Sequence, residues 1–153
     1  MATCDECNGW LNPALAVDAA VQRGNEILLI QRKFPPMVGY WGLPGGFVER
    51  DEDPLIAVLR ELEEETGYQS DNIVHSYNIH NCLGYSDELI EMFIAYDCYK
   101  VDNPLPPDED ECIEVVLYTI EECKKMIKTN EITDVKIVKE GSTTTSAAIL
   151  YDI

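Results

Sequence analysis

The chain has 153 residues, 46% of them hydrophobic, and this length fits one domain around a single core. Its formal net charge of −18 at pH 7 argues against binding to nucleic acid, because two polyanions repel each other. We find no apolar run long enough to span a bilayer and no secretory signal, so we expect a cytoplasmic protein without a membrane partner.

Residues 1–13 are predicted to form a segment of their own ahead of one domain over residues 14–153. Cys4 and Cys7 form a C-x-x-C pair in this segment, which is half of the ligand set that a structural zinc site needs. No second pair and no nearby histidine completes the set. Zinc binding therefore stays an open alternative to two reduced thiols.

Two strands are predicted next, Leu15 to Val21 and Glu26 to Gln31, on either side of the turn signal R-G-N at residues 23–25. Arg32 and Lys33 follow the second strand and are among the few basic residues of this region. Two interpretations stay open. Either one of these two side chains contacts a substrate phosphate or ribose, or both side chains lie in solvent at the end of the strand.

Residues 46 to 68 read G-F-V-E-R-D-E-D-P-L-I-A-V-L-R-E-L-E-E-E-T-G-Y and predict a helix. Asp53 is the expected N-cap, Pro54 the first helical residue, and Gly67 the left-handed residue that closes the helix. Apolar residues at three-residue spacing are predicted to face the core: Ile56, Leu59 and Leu62.

The C-terminal half of this helix is crowded with carboxylates. Glu64 and Glu65 lie three and four positions after Glu61, so the Glu61 side chain is a neighbour of both. The helix dipole makes this end of the helix unfavourable for negative charge. A bound cation would offset the repulsion, and carboxylate oxygens suit magnesium or manganese. Arg60 is placed to pair with Glu52 and hold the preceding loop. The alternative interpretation is a solvated acidic helix face.

Apolar runs and turn signals predict the remaining elements. The strands are Ile73–Ile79, Leu89–Tyr99 with Cys98 inside it, and Ile113–Leu117. An acidic surface loop, residues 106–111, precedes the last strand. Thr119 and Glu122 form a capping box that opens a helix through about Lys128, and a final helix is expected to begin near Thr133.

The stretch from residue 46 to residue 68 matches every fixed position of the Nudix box, and the chain resembles the Nudix hydrolases, which cleave a nucleoside diphosphate linked to another group. The preceding L-P-G-G-F-V-E at residues 43–49 is also typical of that family. The resemblance implies an α/β fold, the Nudix α/β/α sandwich around a mixed β-sheet, and metal-dependent pyrophosphate hydrolysis. It implies that Mg²⁺ or Mn²⁺ is held by Glu61, Glu64, Glu65 and the carbonyl of Gly45, supported by the ion pair of Arg60 and Glu52.

The C-terminal half resembles the ADP-ribose pyrophosphatase branch of that family, because G-x-S-D-E at residues 84–88 is followed by an apolar strand and by D-E-x-E-x-I-E-V at residues 108–115. Relatives in this branch often have a proline where this chain has Cys82 and Leu83. The likeness implies cleavage of ADP-ribose to AMP and ribose 5-phosphate. It implies that a glutamate on the loop before the last strand acts as general base or metal ligand, and the best match is Glu111, or else Glu109. The predicted substrate-binding residues are Arg32, Gly45, Gly46 and Glu88.

Three other interpretations stay open. The substrate of a Nudix pyrophosphatase could instead be NADH, a sugar nucleotide, a dinucleoside polyphosphate or an oxidised dNTP. A Nudix domain could bind ADP-ribose without cleaving it, although the intact glutamate set argues against a silent sensor. The third interpretation is an acidic interaction protein, whose thermal stability should change little on adding magnesium and nucleotide. A homodimer is expected by analogy alone.

Overall fold

The computed structural model describes residues 15–35, 37–82, 84, 86–107 and 113–138. The predictions made for Cys4, Cys7, Glu109 and Glu111 lie outside these residues.

Short strands and three helices make up the described part of the chain. The strands are β1 Leu15–Arg23, β2 Glu26–Arg32, β3 Trp41–Gly42, β4 Gly45–Phe47, β5 Tyr68–Gln69, β6 Asn72–His80, β7 Leu89–Tyr96, β8 Tyr99–Lys100 and β9 Ile113–Thr119. The helices are α1 Pro54–Thr66, α2 Ile120–Lys128 and α3 Val135–Val138. Sequence analysis predicted the longer strands, but it did not predict β3, β4, β5 or β8 as separate strands.

Strands β1 and β2 pair only near their turn, and the glycine-rich segment pairs with them farther along. The two strands pair beside their turn, where Gln22 faces Ile27, and Gly24 supplies the left-handed backbone with a φ of 61°. Beyond that point β4 pairs with β1, and β3 pairs with β2. The divergence of the two strands therefore brings the segment between β3 and β4 into the centre of the sheet.

The main sheet is mixed, as the resemblance implied. β1 runs parallel to β7, from Leu15 opposite Leu89 to Val21 opposite Ala95. β6 pairs antiparallel with β7, and β9 pairs antiparallel with the whole of β2. A separate two-stranded sheet joins β5 to β8.

Helices cover both faces of the main sheet, which confirms the α/β/α sandwich. Side chains that alternate along β1 and β2 point to opposite faces, as the pleat requires. The face toward α1 contains Val17, Ala19, Val21, Leu28, Ile30, Val48, Ala57, Val58, Leu62, Phe93 and Ala95. The other face, toward α2 and α3, contains Ala16, Ile27, Leu29, Leu43, Ile90, Met92, Cys123, Met126, Ile132 and Ile137. No helix among the described residues is long and apolar enough to cross a bilayer.

The caps predicted for α1 are present, and its predicted core face was right at Leu62 and wrong at Ile56. Asp53 accepts a hydrogen bond from the Leu55 N–H at 2.8 Å, and Gly67 closes the helix with a φ of 72°. The buried residues are Ala57, Val58, Glu61 and Leu62, whereas Ile56 is 57% exposed. The core-facing stripe therefore runs through Ala57, Val58 and Leu62, beside the predicted one.

The strand predicted from Leu89 to Tyr99 is present from Leu89, but its predicted end was wrong. β7 ends at Tyr96, and Asp97 then adopts a positive φ of 51° that turns the chain before β8. Cys98 lies in this turn, half-buried against the core beneath α1. The capping box of α2 is present: Thr119 accepts from the Glu122 N–H, and its own N–H donates to the Glu122 carboxylate. The last helix begins at Val135 rather than near Thr133.

Candidate active site

The Gly45–Gly46 pair brings strand β4 against two carboxylates. Gly46 lies beside α1, and a Cβ at this position would lie 2.5 Å from the carboxyl carbon of Glu61. Gly45 lies opposite Asp18 in the β1–β4 register, and a Cβ there would collide with the Val17 carbonyl and the Asp18 carboxylate. A Cβ at position 45 would therefore collide with the backbone of β1, and a Cβ at position 46 would force the Glu61 carboxylate to move.

Arg60 gathers three glutamates around one guanidinium. It donates from Nε and Nη2 to the two oxygens of Glu52, at 2.9 and 3.0 Å. Its Nη1 donates to Glu61 at 2.8 Å and to Glu64 at 3.0 Å. The predicted Arg60–Glu52 ion pair is present, and the contacts to Glu61 and Glu64 were missed because sequence spacing does not reveal where a long side chain bends.

Electrostatics within this network favour the charged forms. The hydrogen bonds from Arg60 lower the pKa of the Glu52 carboxyl, helped by a bond from the Glu49 N–H at 2.9 Å. The Glu52 hydrogen bonds raise the pKa of the Arg60 guanidinium, and Glu61 adds to that shift. Arg60 supplies positive charge that offsets the repulsion among the glutamates in the C-terminal half of α1.

Glu65 and Glu63 point to different sides of α1. Glu65 accepts a hydrogen bond from the Gly45 N–H at 2.7 Å, which ties the helix to the glycine segment. Glu63 accepts from the Gln69 side chain at 2.6 Å and from the Leu105 N–H at 3.0 Å. Of these two glutamates, therefore, Glu65 belongs to the same surface as Glu61 and Gly46.

The donor set at this surface fits a hard divalent cation. It offers carboxylate oxygens of Glu61, Glu64 and Glu65 beside a strand whose carbonyls are oxygen donors, and hard cations prefer oxygen. Within the described ranges, no group of three or more Asp, Glu, His or Cys side chains is so placed that it could hold a metal ion by itself. Magnesium fits such an open set, since it commonly takes few protein carboxylates and completes its shell with water and phosphate oxygens.

A cavity of about 330 Å³ adjoins the glycine segment. Its described lining residues are Ile30, Arg32, Met37, Tyr40, Trp41, Gly42, Leu43, Gly45, Glu65, Thr133, Asp134 and Lys136. Arg32 reaches this cavity, whereas Lys33 pairs with Glu114 on the neighbouring strand. Trp41 packs edge-on against Tyr118 with ring centroids 5.2 Å apart, so it serves the core and the cavity wall together.

Sequence analysis missed a buried ion cluster behind the glycine segment. Asp18 is 3% exposed, and the Lys136 Nζ lies 2.8 Å from its Oδ2, as an ion pair rather than an aligned hydrogen bond. Asp134 lies 3.5 Å from the same ammonium. Burial raises the pKa of Asp18 to about 6, although the positive charge of Lys136 opposes the shift. An acidic residue inside an otherwise apolar strand is the signal that could have directed attention to Asp18.

Two predicted substrate-binding residues, Glu88 and Gly46, are not among the described residues that line the cavity. Glu88 accepts a hydrogen bond from the Asn81 side chain at 2.9 Å, and its negative charge helps to raise the pKa of Asp18 beside the glycine segment. Gly46 borders Glu61 rather than the cavity. Glu111 and Glu109 fall outside the described residues, so their predicted role as the loop carboxylate stays a prediction.

The fold, the Nudix box and this site together define a Nudix pyrophosphohydrolase. The family model described as the NUDIX domain matches residues 12–140, and the chain belongs to that family. The chain is similar to a solved structure, the MutT NUDIX hydrolase from Burkholderia pseudomallei, at 28% identity and a TM-score of 0.59, over 72% of this chain and 85% of the other.

Two curated relatives match most of this chain. It is 32% identical over 123 residues to the ADP-ribose pyrophosphatase of Bacillus subtilis strain 168, which covers 80% of this chain and 66% of that protein. It is 31% identical over 128 residues to the methanol dehydrogenase activator of Bacillus methanolicus, covering 83% of this chain and 69% of that protein. The chain thus spans about two thirds of the length of each relative. The predicted resemblance to the ADP-ribose pyrophosphatase branch is confirmed.

Proposed function

We propose that this chain hydrolyses the pyrophosphate of ADP-ribose, releasing AMP and ribose 5-phosphate, with Mg²⁺ or Mn²⁺ as its cofactor. The observation that carries the proposal is the convergence of Glu61 and Glu65 of α1 on the Gly45–Gly46 segment, at the edge of a cavity. The similarity to an ADP-ribose pyrophosphatase supports this substrate over other nucleoside diphosphates.

In this proposal Glu61, Glu64, Glu65 and the Gly45 carbonyl hold the cation. When bound, the cation supplies positive charge that neutralises pyrophosphate oxygens and polarises water. Arg60 pairs with two of the residues that would hold the cation, Glu61 and Glu64.

Each remaining residue has a distinct task. Arg60 orients Glu61 and Glu64 while Glu52 holds the guanidinium from the other side. Glu64 or Glu111 accepts the proton from the attacking water, because a carboxylate is a general base of suitable strength once that water is polarised. Arg32 contacts a phosphate or ribose oxygen in the cavity.

The size and lining of the cavity agree with a nucleotide ligand. Tyr40 and Trp41 present aromatic surface to it, and Asp134 presents a carboxylate. An aromatic wall with a few polar groups is the usual form of a small-molecule site. The net charge of −18 does not oppose an anionic substrate, since a bound cation reverses the local field.

The proposal is tested by offering the protein ADP-ribose, NADH, a sugar nucleotide, a dinucleoside polyphosphate and an oxidised dNTP with Mg²⁺. We expect ADP-ribose to give the highest kcat/KM, with AMP and ribose 5-phosphate as products. Glu65→Gln should lower kcat by orders of magnitude while the far-UV spectrum stays unchanged. Glu63→Gln is the matched control, because Glu63 lies on the same helix and contacts Gln69 instead.

Three outcomes would contradict the proposal in different ways. A higher kcat/KM for another nucleotide would keep the enzyme class and replace the substrate. Tight ADP-ribose binding without cleavage would support a sensor. Turnover by Glu65→Gln within a few-fold of the unmodified protein would remove that glutamate from the metal site.

A further inference from the structure

The buried ion cluster of Asp18, Lys136 and Asp134 lies directly behind the glycine segment. Asp18 Oδ2 pairs with the Lys136 ammonium at 2.8 Å, and the Lys136 side chain is 18% exposed. The second carboxylate, Asp134, lies 3.5 Å from the same ammonium, and its Oδ1 accepts from the Lys136 N–H at 2.9 Å. One lysine thus holds two carboxylates, one from β1 and one from the residue before α3.

This arrangement is not explained by stability alone. Removing charged groups from water is unfavourable, and a well-packed apolar replacement for a buried ion pair is often as stable as the pair. Two carboxylates around one ammonium also leave negative charge in excess. A role in placing neighbouring atoms accounts for the cluster better than a gain in folding free energy does.

The neighbouring atoms belong to Gly45. In the β1–β4 register Asp18 lies opposite Gly45, and the Ala19 N–H donates to the Pro44 carbonyl at 2.8 Å. The Asp18 carboxylate occupies the space of the Cβ that Gly45 lacks. On its other side the Gly45 N–H donates to Glu65 at 2.7 Å.

A continuous set of contacts therefore runs from Lys136 through Asp18 and Gly45 to Glu65. Lys136, Gly45 and Glu65 also line the same cavity. Without Lys136, the Asp18 side chain would lose the ion pair that holds it in place, and its buried carboxylate would take up a proton or turn toward solvent. Gly45 lies directly against this side chain, so loss of the ion pair would loosen the contact that fixes the glycine peptide relative to α1.

We propose that Lys136 is a positioning residue for the metal site: by pairing with Asp18 it fixes the Gly45 peptide against Glu65. This inference rests on the metal ligands of the proposed function. It adds a residue that lies outside the Nudix box and is not among the ligands proposed for the cation.

The test measures Mn²⁺ affinity by the electron paramagnetic resonance signal of free Mn²⁺, with no nucleotide present. Lys136→Met should weaken binding roughly ten- to hundredfold, as the loss of residues that orient metal ligands commonly does. Lys136→Arg, which keeps the charge, should restore most of the affinity. Lys128→Met is the matched control, because Lys128 is exposed at the end of α2, and its affinity should stay within about twofold of the unmodified protein.

Folding is checked on the same samples by circular dichroism. If Lys136→Met does not fold, the double variant Asp18→Asn with Lys136→Met removes both charges and takes its place, with the same loss of Mn²⁺ affinity expected. Unchanged affinity in a folded variant lacking Lys136, or an equal loss in Lys128→Met, would overturn the inference. If the unmodified protein does not bind Mn²⁺, the proposed metal site itself is overturned. If the unmodified protein cleaves ADP-ribose and the Lys136→Met variant binds Mn²⁺ normally, only the role of Lys136 is overturned.

Discussion

The Glu61 carboxylate fills the space in which a side chain at position 46 would begin. All three atoms of that carboxyl group lie 2.5 to 2.6 Å from the place of a Cβ on Gly46, and Glu61 is 8% exposed. A glutamate buried this deeply is stabilised by its partner Arg60 at 2.8 Å. The glycine and the glutamate of the Nudix box are thus two halves of one contact, although fourteen positions separate them in the chain.

Gly46→Ala should displace Glu61 and sharply lower turnover. The methyl group cannot fit without moving the carboxylate, and a shift of a metal ligand by about 1 Å can reduce a rate about a hundredfold. The measurement is kcat for ADP-ribose together with the Mg²⁺ concentration at half-maximal rate, which should rise. Gly84→Ala is the control, because no atom of the described residues lies within 4 Å of a Cβ there. Normal kinetics in Gly46→Ala would show that Glu61 is free to move without consequence.

Arg60→Lys should lower kcat/KM about ten- to hundredfold even though the charge is kept. A lysine ammonium cannot reproduce the planar fork that contacts Glu52, Glu61 and Glu64 at once. Steady-state kinetics with saturating Mg²⁺ measure the effect. Arg23→Lys is the matched control, since Arg23 pairs with Glu26 at an exposed site, and it should change kcat/KM by less than twofold. A similar small effect at both positions would deny Arg60 its orienting role.

Asp18→Asn should change how stability depends on pH. Burial raises the pKa of Asp18 from 3.8 to about 6, so its folded form binds a proton that the unfolded form has released between these values. The contribution of Asp18 to the free energy of unfolding is therefore fully present below pH 3.8 and is lost as the pH rises through about 6. Urea unfolding from pH 4 to pH 7 should show the unmodified protein losing stability relative to Asp18→Asn as the pH rises. A constant difference in unfolding free energy across that range would mean that burial does not raise the pKa of Asp18.

Glu52→Gln should show the opposite sign. Hydrogen bonds from Arg60 lower the pKa of Glu52 below its ordinary 4.5, so its stabilising effect is present above that value and is lost as the pH falls through the folded pKa. The difference in unfolding free energy between the unmodified protein and Glu52→Gln should accordingly be largest near neutral pH and shrink in acid. Chemical unfolding at pH 7 and at pH 3.5 measures it, and a difference that grows in acid would contradict the ion pair.

Local chemistry explains why α1 and α2 could be predicted from sequence. Asp53 and Gly67 close α1 by contacts within a few residues, and Thr119 with Glu122 opens α2 in the same way. The face of α1 could not be predicted as well, because Ile56 is more hydrophobic than Ala57 yet only the smaller residue fits the close approach to the sheet.

The sequence by itself determined the family, the two glycines and the glutamates of the site, since their spacing in one short segment is enough to identify them. Only the tertiary structure decided which groups surround them. Lys136 reaches Asp18 because α3 packs under β1, and Arg60 reaches three glutamates because its side chain folds back across the helix. Contacts between residues far apart in the chain depend on how strands pair and helices pack, and a linear pattern does not record that geometry.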